Sequence, residues 1–196
     1  MAGVEANQQQ TEYRGPILSS AQEALQRAGF PYEQLRVDIP YTQNGPYSFE
    51  SYLHGPTNLA LLKLPPGVAT EANLLLGPSD ERKDNFSFKV YTLAGDGELL
   101  ICRLGSAEVT VKPLYLGAAV VEVSPGEVYA YRAGSSGLTV LDYCDPAFQQ
   151  GWEQAVSKQQ PVAGYEGLCP PRRFWDRLES DPGGSARTLG DTCEES

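Results

Sequence analysis

Between residues 48 and 144 the sequence repeats one device: a short apolar or alternating run, then a break containing glycine or proline. The runs are SFESYLHG, NLALLKL, ANLLLG, SFKVYTL, ELLICRL, AEVTVKPLYL, AAVVEV, EVYAYRA and LTVLDYC. Their β-branched and aromatic residues suit a pleated, half-buried surface. No long helical pattern alternates with them, so the crossover units of a parallel sheet are absent. A chain built this way is expected to be all-β, a sandwich or a barrel.

The 196 residues, 41% of them apolar, allow one domain with extensions and a core that needs no cross-links. Lys and Arg number 15 against 25 Asp and Glu, a formal charge of −10. A general nucleic-acid binder needs a basic face to replace phosphate counterions, so no nucleic-acid partner is expected. The same balance disfavours an anionic membrane surface. No run approaches the ~18 uninterrupted apolar residues of a membrane span. MAGVEANQQQTEYRG lacks the apolar core of a signal peptide, and a soluble cytoplasmic protein is expected. Cys102, Cys144, Cys169 and Cys193 form no C-x-x-C pair and are read as free thiols. Together with the single histidine, His54, they show no zinc-site spacing.

Residues 1–15 are polar and read as a mobile N-terminus. An extension over 16–57 follows. Ser20 with Glu23 forms a capping-box pattern, Gly29 is a stop, and Ala21, Leu25 and Ala28 share a face, which predicts a helix over 20–28. LRVDI and SFESYLHG read as edge strands of that extension. The barrel region is 58–158. Within it AGDG predicts a hairpin turn between two strands, and PSDERKDN a loop. In DPAFQQGWEQAVSK, Asp145 can cap, Pro146 suits a first turn, and Trp152 and Val156 lie four apart, which predicts a second short helix. Residues 159–196 form a flexible tail. Its RRFWDRL segment is expected to pack back on the barrel, the alternative being a docking site for a partner.

Three segments carry a resemblance to a known family: LKLPPGVATEANLLLG, KVYTLAGDGELLI and LGAAVVEVSPGEVYAYRAGSSGLTVLDYCDPAF. Their order, and the spacing of Gly117, Pro125, Gly126 and Gly134, resemble the cupins, over about half of the chain. The resemblance implies a single double-stranded jelly-roll barrel with short flanking helices, and a homodimer. It also implies a metal held by histidines and a glutamate. Counted from Gly67, Gly95 and Gly134, those places fall on Asn73, Leu75, Phe88 and Ser136. A second register starts the ligand strand near Glu81–Asp84. In neither register is a histidine available, so no metal cofactor is expected: leucine and phenylalanine donate nothing, and serine with asparagine binds a divalent transition ion weakly.

A barrel without a metal still encloses a concave, mostly apolar space. Alternation points Phe86, Phe88 and Val90 one way. It puts Tyr129 and Tyr131 on one face, and Asp142 on a face with Leu138 and Val140. Asn73, Leu75, Phe88, Val90, Tyr129, Tyr131 and Ser136, the last at the mouth, are the candidate contacts for a small, partly apolar organic ligand. For the two tyrosines the competing reading is plain sheet packing. Asp142 either faces water or is buried, and a buried carboxylate must be paired or carry a raised pKa. The resemblance extends to metal-free cupin-like sugar epimerases, which use a His–Asp base and a Tyr acid. On residue type alone, His54, Asp142 and Tyr131 are the catalytic candidates for an isomerase, cyclase or lyase. An exposed turn is the competing reading of His54. The alternative function is a non-catalytic interaction module with a solid barrel core.

Overall fold

The computed structural model describes residues 36–180, except 159 and 161. The helix expected at 20–28 and the end of the tail lie outside those residues. The elements are β1 (Arg36–Asn44), β2 (Tyr47–His54), β3 (Thr57–Leu64), β4 (Ala72–Leu75), a 3-10 turn (Glu81–Asn85), β5 (Ser87–Arg103), β6 (Val109–Tyr115), β7 (Val121–Glu122), β8 (Glu127–Asp145), β9 (Glu153–Val156) and α1 (Arg172–Glu179).

Two long strands organise the rest. β8 pairs with β5 from Glu127 to Asp145, and its other edge is shared: residues 138–144 take β3, and Val128 and Tyr129 take β4. The sheet therefore divides into two halves. One runs β1-β2-β3, the C-terminal half of β8, the N-terminal half of β5, then β7. The other runs β9-β4, the N-terminal half of β8, the C-terminal half of β5, then β6. Every pairing is antiparallel. Folded over at the middle of β5 and β8, the halves face each other as a jelly-roll barrel.

That fold-over corrects the hairpin expected at AGDG. β5 runs straight through these residues, with its register shifting between Thr92 and Ala94 and between Gly95 and Gly97. Such bulges bend a strand and increase its twist. Gly95 has φ +78°, and a Cβ there would lie 2.0 Å from the carbonyl oxygen of Gly137. The glycines serve a close crossing of two backbones, and the chain does not reverse.

The second correction concerns DPAFQQGWEQAVSK, which forms no helix. After a cis Asp145–Pro146 bond the chain turns, and β9 pairs with β4 from Glu153 to Val156. Trp152 precedes β9 and packs inside the barrel, whereas Val156 joins the outer cluster, so the spacing of four marks no shared face.

The halves bury one cluster between them, which includes Leu62, Leu64, Phe88, Val90, Leu99, Tyr129, Tyr131, Leu138, Val140 and Trp152. A second cluster lies on the outer face of the β4–β8–β5 half, where α1 docks. Phe174, Trp175 and Leu178, spaced for one helical face, pack with Leu74, Leu100, Cys102, Val128 and Ala130. Arg132 donates to the Arg177 carbonyl at 2.9 Å and the Ser180 hydroxyl at 2.7 Å, placing a cation at the negative end of the helix. Arg177 pairs with Glu98. RRFWDRL thus packs on its own barrel.

Candidate functional site in the barrel interior

Alternation along β8 decides what enters the barrel. Tyr129 stands opposite Ile101, Tyr131 opposite Leu99, and Asp142 between Ala60 of β3 and Val90 of β5. The Tyr131 hydroxyl reaches across the interior and donates to Asp142 Oδ1 at 2.5 Å. Both residues are buried, Asp142 with 7% of its surface exposed. Burial raises the Asp142 carboxyl to about 7, and the Tyr131 hydrogen bond opposes the rise. Burial, with the adjacent Asp142 charge, holds the Tyr131 phenol well above its ordinary value.

A second pair lies beside the first. The Tyr129 hydroxyl donates to Glu153 Oε1, and burial raises the Glu153 carboxyl to about 7. The two tyrosine rings meet edge to face at 5.9 Å, and Phe88 stands 5.4 Å from Tyr129. Among the described residues no Lys or Arg pairs with either carboxyl. Each is held by a tyrosine in an apolar setting that favours its neutral form. At pH 7 such a carboxyl is poised to take or give a proton.

Where this cluster meets solvent its rim is aromatic. Tyr47, Phe49, Phe86 and Phe148 are half-buried against it, with Phe86 and Phe148 edge-on to Trp152 at 5.5 and 6.0 Å. The Tyr47 phenol is raised by its own burial, with the Glu71 and Glu153 charges adding to the effect.

The candidates read from the sequence separate into three groups. Tyr129, Tyr131, Phe88, Val90 and Leu75 are in the interior cluster, and Asn73 stands opposite Tyr129 in the β4–β8 register. The strand start near Glu81–Asp84 is replaced by the 3-10 turn. Ser136 is a correction. It is exposed on the outer bend, where its backbone N–H donates to Asp96 Oδ1 at 3.1 Å and its hydroxyl bonds to the same oxygen. Those hydrogen bonds lower the Asp96 pKa. The residue that joins Asn73, Leu75 and Phe88 inside is Tyr129, three past Gly126.

His54 is the other correction. It ends β2 at a turn, opposite Thr57, whose hydroxyl donates to the His54 carbonyl at 2.8 Å. The β2 residue in line with Asp142 is Ser51, through Ala60. His54 is therefore two strands across and three residues along, beyond about 10 Å, and forms no dyad with Asp142. Glu153 was not singled out from the sequence. In a supposed helix it reads as a solvated charge, and nothing local marks it as facing Tyr129.

The metal implied by the resemblance does not fit these residues. The converging positions carry an amide, two hydrocarbon side chains and a phenol, and the two carboxyls are each engaged by a tyrosine. Among the described residues no three His, Cys, Asp or Glu side chains are grouped to hold an ion.

No family model and no curated protein sequence matches the chain. Solved structures do. Oxalate decarboxylase from Bacillus subtilis superposes with a TM-score of 0.51 at 10% identity, over 79% of this chain and 42% of that one. The capsular polysaccharide assembling protein CapF from Staphylococcus aureus gives 0.50 at 12% identity, over 62% of this chain and 34% of that one. CapF with the inhibitor 3-isopropenyl-tropolone gives 0.50 at 12%, over 62% and 33%. This chain matches only a third to two fifths of those proteins, and identities this low speak for fold alone. Among the described residues no helix is long and apolar enough to cross a membrane. The two-halved antiparallel barrel, its bent central strands and these superpositions together establish that the chain has the cupin fold.

Proposed function

We propose that the barrel binds a small, partly apolar organic molecule without a metal, the paired groups Tyr131–Asp142 and Tyr129–Glu153 forming the polar end of the site. The observation that carries this reading is the buried Asp142 carboxyl beside the half-buried Glu153 carboxyl, each held by a tyrosine and neither paired with a cation among the described residues. Burying one is costly, and packing alone has no use for a second. The aromatic rim supplies stacking area for a planar or partly apolar ligand. The chemistry on hand is proton removal by a carboxylate and proton donation by a phenol or protonated carboxyl. That is the class used in isomerisation, cyclisation or elimination. His54 takes no part.

The competing reading, a non-catalytic interaction module, draws support from how full the interior is. Phe88, Tyr129, Tyr131, Leu138 and Val140 are all under 5% exposed. Native mass spectrometry of the purified protein separates the two. Ligand binding predicts a stoichiometric organic adduct that leaves on denaturation and is lost in Tyr131→Phe. A bare mass, with no thermal shift on a panel of small aromatic and sugar acids, would overturn the ligand reading in favour of the module.

A further inference from the structure

On the outer surface, away from the barrel interior, α1 and β9 enclose an open groove of about 570 Å³. Its walls are Gln154–Lys158 on one side and Trp175, Leu178 and Glu179 on the other, with Glu71 and Ala72 at the end. β9 closes one end of the sheet and, among the described residues, pairs with β4 alone.

Leu76 donates its N–H to the Trp152 carbonyl at 2.8 Å. Peptide groups alternate edges along an antiparallel strand. Gln154 and Val156 therefore address β4, while Glu153 and Ala155 turn their N–H and C=O to the open edge. An unpaired edge is a template for another strand, and here it runs beside a groove floored by Trp175 and Leu178. The groove carries two carboxylates, Glu71 and Glu179, against one cation. That cation, Lys158, already pairs with Glu179 at 2.7 Å and lies over the Trp175 ring at 5.8 Å. Glu71 makes no ion pair among the described residues.

We infer that β9 and α1 form a docking groove for an extended segment of a partner protein, which adds a strand to the β9 edge. Backbone hydrogen bonds to Glu153 and Ala155 hold the segment, and alternate side chains enter the groove. The excess of carboxylate selects a segment that alternates basic and aliphatic residues.

The probe is the capped heptapeptide Lys-Val-Lys-Val-Lys-Val-Lys, with its Glu-Val counterpart as control, titrated into the full chain and followed by calorimetry and amide exchange. The expected result is saturable binding of the basic peptide with slowed exchange at the Glu153 and Ala155 amides. Ala155→Pro removes one open-edge N–H at an exposed edge position, where proline is tolerated. It should weaken binding about tenfold or more while circular dichroism stays unchanged. Glu71→Lys, an exposed change that spares the backbone, should weaken the basic peptide and improve the acidic one. Absence of binding, equal binding of both peptides, or full affinity in both variants would overturn the proposal. So would a dimer of the free protein that Ala155→Pro dissociates, because a second copy would then own the edge.

Discussion

Replacing Asp142 by asparagine tests whether the barrel holds a neutral carboxyl. In the unfolded chain Asp142 ionises near its ordinary 3.8, and in the fold near about 7. Below the lower value both states keep the proton and the group has no effect on stability. Between the two values the unfolded chain releases it and the fold does not, so stability falls as pH rises, by about 1.4 kcal/mol per unit. Above about pH 7 both states are ionised and the loss is complete. Over roughly three units it comes to about 4 kcal/mol, a large share of the roughly 5–15 kcal/mol that holds a domain together. Asparagine keeps an oxygen for the Tyr131 hydroxyl and cannot ionise. The assay is urea denaturation of wild type and Asp142→Asn from about pH 4 to about pH 8. The stability of the variant relative to wild type should climb with pH through that window and level off above it. A difference that does not change with pH would mean that Asp142 ionises alike in both states, and the neutral-carboxyl argument would fail.

Three further outcomes are expected. Gly95→Ala should cost more than about 2 kcal/mol in thermal or chemical denaturation, because φ is positive and the obstructing atom is the Gly137 backbone oxygen; Gly134→Ala, whose Cβ would meet chiefly the movable Asp96 side chain, with the Asp96 backbone oxygen at 3.2 Å, should cost clearly less, and the reverse order would refute this account of the bend. Glu50 is 1% exposed on the outer face of β2, and burial raises its pKa against the opposing effect of the Tyr52 hydroxyl, so Glu50→Met should gain about 1–3 kcal/mol at neutral pH; a loss of stability there would show that the carboxylate is compensated. Burial pushes the Cys102 and Cys144 thiols up to about 12, so a thiol reagent at neutral pH should leave both unmodified in the native protein and label them on unfolding, as mass spectrometry of digested samples would show.

The sequence by itself determined the strands and their faces. A period of two in SFKVY, EVYAY and LTVLDY is local, set by which residues tolerate burial on a pleated surface, so Phe88, Tyr129 and Tyr131 were candidate linings from it, while Asp142 stood open between water and the interior. The aromatic–acidic character of the site follows from the same alternation. What alternation leaves open is where a strand bends and what lies across the barrel. Glycine allows both a reversal and a bulge, and only the crossing of Gly95 over Gly137 decided for the bulge. The bend in turn moved Ser136 out to Asp96 and left Tyr129 beside Asn73 and Phe88. The spacing of Trp152 and Val156 pointed to a helix, and pairing with β4 made β9 a strand and turned Glu153 toward Tyr129. His54 was drawn to Asp142 by residue type, and the intervening strand β3, with three residues of offset along it, keeps them apart. Side-chain direction is written in neighbouring residues, whereas contact between β8, β9 and the far side of the barrel depends on register and closure, which belong to the whole sheet.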